Sequence, residues 1–125
     1  MTMAEELVDV KKLLLDTLDT YKLPIYLQGS LSDTDAYPDS FFTFWNTDSP
    51  DHAHFDNADY GTDWAFDVNF YSIDPELTYN VLSDARILLK QNKWIIPSKG
   101  YDVYSDEPTH TGRGMQALYL EIPTT

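Results

Sequence analysis

Cysteine is absent from the 125 residues, which excludes disulfide bonds, thiolate metal ligands and thiol catalysis. Long apolar runs are also missing: stretches such as Leu13–Leu15 and Trp94–Ile96 stop after three residues, far short of a membrane-spanning helix. The N-terminal residues do not have the pattern of a secretory signal peptide. We therefore expect a soluble protein that is made in a reducing compartment.

Basic residues are scarce and unevenly placed. The chain has 8 Lys and Arg against 21 Asp and Glu, for a formal charge of −13. This excess argues against a protein that binds nucleic-acid phosphates and against a polybasic membrane binder. Between Lys22 and Arg86 there is no basic residue, whereas the same stretch holds twelve acids: Asp33, Asp35, Asp39, Asp48, Asp51, Asp56, Asp59, Asp63, Asp67, Asp74, Glu76 and Asp84. Such a stretch is a solubilising surface or one that repels another polyanion, such as passing DNA.

Aromatic residues, in contrast, are plentiful. They make up 14% of the chain, as 9 Tyr, 6 Phe and 3 Trp, which is enough to build a core. The chain shows no internal repeat and no low-complexity linker. A length of 125 residues suits one domain, and we expect residues 1–125 to form it.

Two helices are predicted from apolar residues at helical spacing. The first spans about Met3–Thr20, with Leu7, Val10, Leu14 and Leu18 on one stripe and a capping-box spacing of Thr2 and Glu5. Asp74-Pro75 opens the second as N-cap and first helical residue. Its expected buried face contains Leu77, Val81, Ala85 and Leu88, with Leu82 and Leu89 beside them. Arg86, Lys90 and Lys93 lie toward its negative end, where the helix dipole favours cations.

Strands are predicted from alternation and from β-branched or aromatic content. The clearest is Thr62–Tyr71, where Trp64, Phe66, Val68 and Phe70 alternate with Asp63, Ala65, Asp67 and Asn69. The other predicted strands are Ile25–Leu27, Phe41–Trp45, Trp94–Ile96 with a resumption at Tyr101–Tyr104, and Met115–Ile122. In the last of these, Leu118, Leu120 and Ile122 alternate with Ala117, Tyr119 and Glu121. Residues 28–39, 46–61 and 105–113 are predicted loops, and Gly112-Arg113-Gly114 is interpreted as a hairpin turn before the last strand.

These elements predict an α+β fold in the order α-β-β-β-α-β-β. We expect a small, mainly antiparallel or mixed sheet with the two helices packed on one face. Such a two-layer domain leaves the second sheet face, rich in Tyr, Asp, Asn and Thr, available to neighbours. We therefore expect an oligomer.

Loop 46–61 is the best place for a metal site. It contains His52 and His54, whose spacing puts both imidazoles on one side of an extended segment, and several carboxylates. No known catalytic spacing is present, and an Asp- and His-rich loop is usually only solvated. A nucleophile elbow, a phosphate-binding glycine loop and a calcium loop are also absent from the sequence. We predict no catalytic residue and no cofactor, with His52 and His54 as weak metal candidates.

The order of elements, with these sequences on them, resembles a known family. An N-terminal amphipathic helix leads to Pro24-Ile25-Tyr26-Leu27, and an aromatic strand, Phe41–Trp45, precedes the long strand Trp64–Tyr71. Asp74-Pro75 then opens a helix, and a Trp94 strand and Tyr119–Ile122 close the chain. Over about residues 5 to 122 the chain is similar to the tail terminator proteins of long-tailed phages and prophages, which complete the tail and join it to the head.

The resemblance implies a structural virion protein without enzymatic activity. Such proteins form a ring, typically of six copies, at the head-proximal end of the tail, after assembly in the host cytoplasm. The partners it implies are further copies of the chain, the tail tube protein and the head-side connector, and DNA passes through the hole without specific binding. An acidic lining keeps DNA from sticking, so we predict that Asp48, Asp51, Asp56 and Asp59 face the hole or another subunit.

Three other interpretations remain open. The chain could be another small head-tail connector or minor tail component of similar size. An acidic inhibitor that mimics DNA is a second possibility, although such a protein needs carboxylates spaced like phosphates, and the predicted helices carry charges of both signs. The third is a small metal-dependent hydrolase that uses His52 and His54.

Overall fold

The chain folds into a sheet layer and a helix layer. The computed structural model of the protein describes residues 3–28, 37–49, 54–55, 58–59 and 61–121. In chain order the elements are helix α1 (Met3–Leu18), a 3₁₀ turn (Asp19–Tyr21), β1 (Ile25–Leu27), β2 (Ser40–Asp48), β3 (His54–Phe55), β4 (Ala58–Asp59), β5 (Thr62–Ser72), α2 (Pro75–Gln91), β6 (Tyr101–Val103) and β7 (Thr111–Glu121). The α+β class is confirmed, and the predicted order of elements holds for the main sheet.

The main sheet has five strands in the order β1-β2-β5-β7-β6. Its central strand, β5, runs antiparallel to both neighbours, and β6 is antiparallel to β7. Only the short strand β1 is parallel to its neighbour β2. The sheet is therefore mixed and mainly antiparallel, as the alternating pattern of β5 predicts.

Both helices cover one face of this sheet, which we call the covered face. Trp64, Phe66, Val68 and Phe70 of β5 are buried there, so the predicted phase of this strand is confirmed. In α1 the predicted stripe is confirmed for Val10, Leu14 and Leu18, whereas Leu7 and the Thr2–Glu5 capping box lie outside the described side chains. The other buried members of this core are Phe42, Phe44, Leu82, Ala85, Leu89, Trp94, Ile96, Met115 and Ala117.

In α2 the predicted burial is confirmed for Leu82, Ala85 and Leu89, whereas the predicted stripe through Leu77, Val81 and Leu88 is one position away from the buried one. The buried residues are Thr78, Leu82, Ala85 and Leu89, while Leu77 is exposed. Both stripes have helical spacing, so apolar content alone does not choose between them. Thr78 decides the rotation, because its hydroxyl lies 2.9 Å from that of Thr111 at the start of β7 and must therefore face the sheet. The predicted start of the helix is confirmed: Asp74 is the N-cap and accepts a hydrogen bond from the Glu76 amide at 3.0 Å.

The alternation predicted for the last strand is present, but its helix-facing side is the less apolar one. Phe66 pairs with Ala117 and Trp64 with Tyr119, which places Ala117 and Tyr119 on the covered face and Leu118 on the other. Trp94 explains this choice, because its ring lies 4.9 Å from that of Tyr119 and 5.9 Å from that of Phe66. With Trp94 filling this part of the core, small and flat side chains suit β7 better than leucine.

Three predicted boundaries are wrong. Residues 94–96 form a single bridge, Ile95 to Leu118, and not a strand, since Pro97 cannot extend the ladder. Gly112 and Gly114 lie inside β7 and not in a turn. The predicted loop 46–61 contains the end of β2 and a hairpin whose strands, β3 and β4, have two residues each. In this hairpin His54 pairs with Asp59 and Phe55 with Ala58.

Among the described residues, α1 and α2 are too short or too polar to cross a membrane.

Candidate functional site

Within the described residues no helix covers the second face of the sheet, and we call it the open face. Its upper half is a cluster of aromatic rings from β1, β2 and β5. Phe41 stacks on Tyr71 with ring centres 5.2 Å apart, and Tyr26 and Tyr37 meet Phe41 edge to face at 5.9 and 5.6 Å. Such offset and edge-to-face pairs stabilise one another beyond simple burial. The rings therefore make a rigid surface that still offers polar edges.

Two glycines in β7 allow these rings to lie flat on the sheet. A Cβ atom at Gly112 would come within 2.6 Å of the Tyr71 ring and 2.7 Å of Val103. A Cβ at Gly114 would lie 2.1 Å from the amide oxygen of Asn69, with the Tyr101 ring at 3.2 Å. Both positions require close approach of side chains to the backbone, which only glycine permits without displacement.

The lower half of the open face centres on Asp67 of β5. The Trp45 indole nitrogen donates a hydrogen bond to its carboxylate at 2.9 Å. From the other side Tyr101 reaches across Gly114, and burial, followed by the charge and hydrogen bond of Asp67, raises the pKa of the Tyr101 phenol. Trp45 is 49% exposed and Tyr101 42% exposed. Two aromatic side chains thus flank a carboxylate whose hydrogen-bond donors among the described residues are neutral, so its negative charge can attract a cation.

A pocket of about 130 Å³ opens between the rings and the segment 104–106. Its lining includes Tyr37, Thr43, Tyr71 and Asp106. Burial raises the pKa of Tyr71, while hydrogen bonding from Thr43 lowers it by a smaller amount. The Thr43 hydroxyl is buried and has no other hydrogen-bond partner among the described residues. The pocket is small and neutral at its floor, and it has room for single water molecules or one small side chain.

His110 lies beside this pocket and is only 9% exposed. Its Nε2 is 2.8 Å from the carbonyl oxygen of Pro38, and its Nδ1 is 3.0 Å from the Thr109 hydroxyl. Because both ring nitrogens are engaged and the ring packs against Tyr37 and Phe41, His110 fastens the loop before β7 to the start of β2. The sequence predicted only a loop residue here.

In contrast to the acidic stretch that precedes it, residues 85–101 form a basic surface, which we call the cationic patch. Residues 85–101 contain Arg86, Lys90, Lys93 and Lys99 and no Asp or Glu. These residues occupy the last turns of α2 and the segment that leads to β6. Lys90, Lys93 and Lys99 are exposed. Arg86 has a structural task, since its Nε donates a hydrogen bond to the carbonyl oxygen of Ser98 at 2.9 Å.

Lys93 adopts an unusual backbone conformation for a lysine. Its φ is 74°, in the left-handed region, at the position directly after the C-cap of α2. The amide of Lys93 donates to the carbonyl of Lys90, and that of Trp94 to the carbonyl of Leu89. This is the Schellman motif, where glycine is the usual residue. A lysine there costs conformational energy, although the negative end of the helix dipole favours its charge.

Arg113, in contrast, is occupied within the fold. Its guanidinium lies 2.8 Å from the Asp102 carboxylate and 5.0 Å from the centre of the Tyr79 ring. Arg113 is 17% exposed and Asp102 is 93% exposed. The arginine therefore covers part of the core edge and is not a free cation for a partner.

Of the acids predicted to face the hole or another subunit, Asp48 is the one whose side chain is described. It is exposed at the end of β2, beyond a bulge, and accepts a hydrogen bond from the Ser49 amide at 2.8 Å. Asp51 and Asp56, like His52, lie outside the described residues. The backbones of His54 and Asp59 are paired in the β3–β4 hairpin, but their side chains lie outside the description. Within the described part of the chain, no three metal-ligating side chains come together.

Sequence reasoning missed the site formed by Trp45, Asp67 and Tyr101. Trp45, Asp67 and Tyr101 were placed on strands, but strand spacing does not show which residues meet across three strands. The cationic patch left a signal in the sequence, because the acid-free segment 85–101 follows directly on the cation-free segment 23–85.

Compared with protein-family models and with curated proteins, the chain matches none of them.

Proposed function

We propose that this protein is a structural component of a long-tailed phage or prophage. In this proposal, copies of the chain form a ring that caps the tail tube at its head-proximal end and joins it to the head-side connector. DNA passes through the ring without being bound. The protein acts by shape and charge, and no bond is made or broken.

The observation that carries the proposal is the segregation of charge along one small domain. A cation-free stretch with twelve acids precedes an acid-free stretch with four cations. A ring subunit needs both kinds of surface, since acids that face a DNA channel prevent adhesion, while oppositely charged surfaces attract adjacent subunits. The exposed Asp48 at the end of β2 is a described candidate for the channel.

The open face adds support for assembly. It is a broad sheet surface with aromatic rings at its centre, and no helix from the described part of the chain lies over it. Exposed aromatic surfaces of this kind are typical of interaction sites. The exposed rings and apolar side chains at its margins include Trp45, Ile95, Tyr101 and Tyr104.

A DNA-mimicking inhibitor fits less well. Such a protein needs carboxylates in an unneutralised row, whereas Lys12 pairs with Asp16 in α1 at 3.4 Å and Lys22 pairs with Asp19 in the following turn at 2.9 Å. These pairs cancel the charge of the helix locally.

Electron microscopy of the purified full-length chain tests the proposal. We expect closed rings with a central hole, and we expect added tail tubes to carry one ring at one end only. A chain that remains monomeric at high micromolar concentration, and that binds neither tube end, would contradict the proposal. Salt-sensitive competition with DNA for a DNA-binding enzyme would instead favour the mimic.

A further inference from the structure

The open face and the cationic patch have complementary chemistry on one molecule. We propose that the Trp45–Asp67–Tyr101 site of one copy binds the cationic patch of a second copy, with Lys93 entering beside the Asp67 carboxylate. The inference deepens the proposed ring, because it names the two surfaces that meet between neighbouring subunits.

The charge of the chain favours a contact between two different surfaces of neighbouring copies over a symmetric pairing of their open faces. Two open faces placed together would oppose Asp67 to Asp67 on molecules that each carry a charge of −13, and like charges brought together are unfavourable. The cationic patch is the part of the chain where the sign is reversed over 17 consecutive residues, 85–101. A head-to-tail contact between two different surfaces of identical subunits also generates a ring when its rotation closes.

The geometry of Asp67 fits an ammonium group. The Trp45 indole nitrogen donates a hydrogen bond to its carboxylate at 2.9 Å, and the same carboxylate raises the pKa of the nearby Tyr101 phenol. The two rings are about half exposed, so the aliphatic stem of a lysine that reaches the carboxylate can pack beside them. Within the described residues, the intramolecular salt bridges involve Asp16, Asp19 and Asp102, which leaves Asp67 able to accept a cation from outside.

Lys93 is the member of the patch with an unusual backbone conformation. Arg86 is used by the Ser98 carbonyl, and Lys90 lies in the last turn of α2, where the helix dipole favours a cation. Lys93 instead holds a left-handed conformation that favours glycine. Backbone strain of this kind is typically retained where a side chain has a task.

A charge-swap experiment on the full-length chain tests this pairing, with sedimentation velocity as the measurement of association. We expect Asp67→Lys and Lys93→Glu each to weaken self-association about tenfold or more. The double variant Asp67→Lys/Lys93→Glu restores the pair with reversed sign and keeps the net charge, so it should recover most of the loss. Raising the ionic strength from about 0.05 to about 0.5 M should weaken the wild type and the double variant alike.

Asp63→Lys and Lys12→Glu are the matched controls. They change the net charge by the same amounts, and Asp63 lies four residues from Asp67 on the same strand and face. We expect both controls to associate within about threefold of the wild type, a difference below the tenfold step of about 1.4 kcal/mol.

Lys93→Gly separates this role from a structural one. Glycine relieves the left-handed backbone, so the melting temperature should stay the same or rise, while self-association should fall as it does for Lys93→Glu. A protein that is more stable and yet less associated has lost a contact between subunits, and not its fold.

Several results would overturn the pairing. The pairing is wrong if the single variants self-associate as strongly as their controls. It is also wrong if the double variant self-associates as weakly as the single variants, or if the Lys93→Gly variant self-associates as the wild type does. If rings persist in these cases, the pairing is wrong and the ring proposal survives. A wild-type chain that never self-associates, even with tail tubes present, overturns both.

Discussion

The two faces of the sheet use adjacent residues for different purposes. On the covered face Phe42 meets Phe70 with ring centres 4.7 Å apart, under both helices. One residue along each strand, Phe41 and Tyr71 stack at 5.2 Å on the open face. The first pair belongs to a fully apolar core, whereas the second sits among hydroxyl, imidazole and carboxylate groups. The comparison indicates that the covered face supplies stability, and in the proposed ring the open face supplies specificity for a neighbour.

The largest effect is expected on the covered face. Phe66→Ala removes a ring that is buried between Trp64 and Trp94, and should cost about 3–5 kcal/mol in the free energy of unfolding. Trp45→Ala is the control on the open face, and it should cost less than about 1 kcal/mol because that side chain is half exposed. Urea denaturation measures both. Equal losses would contradict the division between the faces.

The glycines of β7 test whether the open face is closely packed. Gly112→Ala places a methyl group against the rigid Tyr71 ring and Val103, and should cost about 1–3 kcal/mol. Gln116→Ala, an exposed position in the same strand, should stay within about 0.5 kcal/mol of the wild type. If the two variants melt alike by calorimetry, the rings on this face are loosely held.

The loss of stability at alkaline pH tests one tyrosine from each face, Tyr21 and Tyr71. Burial, with the hydrogen bond to Asp84 and the charge of that carboxylate, raises the pKa of Tyr21, and burial raises that of Tyr71. Unfolded phenols ionise near pH 10, before the folded ones. Stability should therefore be constant below about pH 10 and fall above it, as the unfolded state loses protons first. Denaturant melts across this range measure the fall.

Tyr21→Phe separates the covered-face contribution. It removes the hydrogen bond to Asp84 that ties the 3₁₀ turn to α2, and should cost about 1 kcal/mol near neutral pH. The variant should also lose stability less steeply above pH 10 than the wild type. An unchanged slope would assign the alkaline transition to other tyrosines, such as Tyr71 on the open face.

The smallest effect on stability is expected for the channel candidates. Replacing Asp48, Asp51 and Asp56 together by Lys should change the free energy of unfolding by less than about 1 kcal/mol, because charges in a predicted loop contribute little. Rings should still form, but DNA passage should be impaired if these acids line the channel. Complementation of a phage that lacks the protein measures this, and full infectivity would remove these residues from the channel.

Burial and element boundaries were predictable where the sequence pattern allows only one arrangement. In β5 the alternation of Trp64, Phe66, Val68 and Phe70 fixes a single burial phase, and Asp74-Pro75 fixes the start of α2. Prediction failed where two possible buried stripes of a helix have similar apolar content. Leu77 and Leu88 were expected inside α2, yet the buried Thr78 sets the rotation through Thr111, a partner 33 residues away.

The sequence by itself determined the α+β class, the central strand, the helix starts and the strong separation of acidic from basic segments. Those features follow from local periodicity, capping and composition, which act over a few residues. Only the tertiary structure decided which side of β7 meets Trp94, and that Trp45 and Tyr101 come to Asp67 from strands on either side of β5. The reason is physical: packing and hydrogen bonding between distant residues depend on register and available volume, and neither is encoded in the spacing of any one segment.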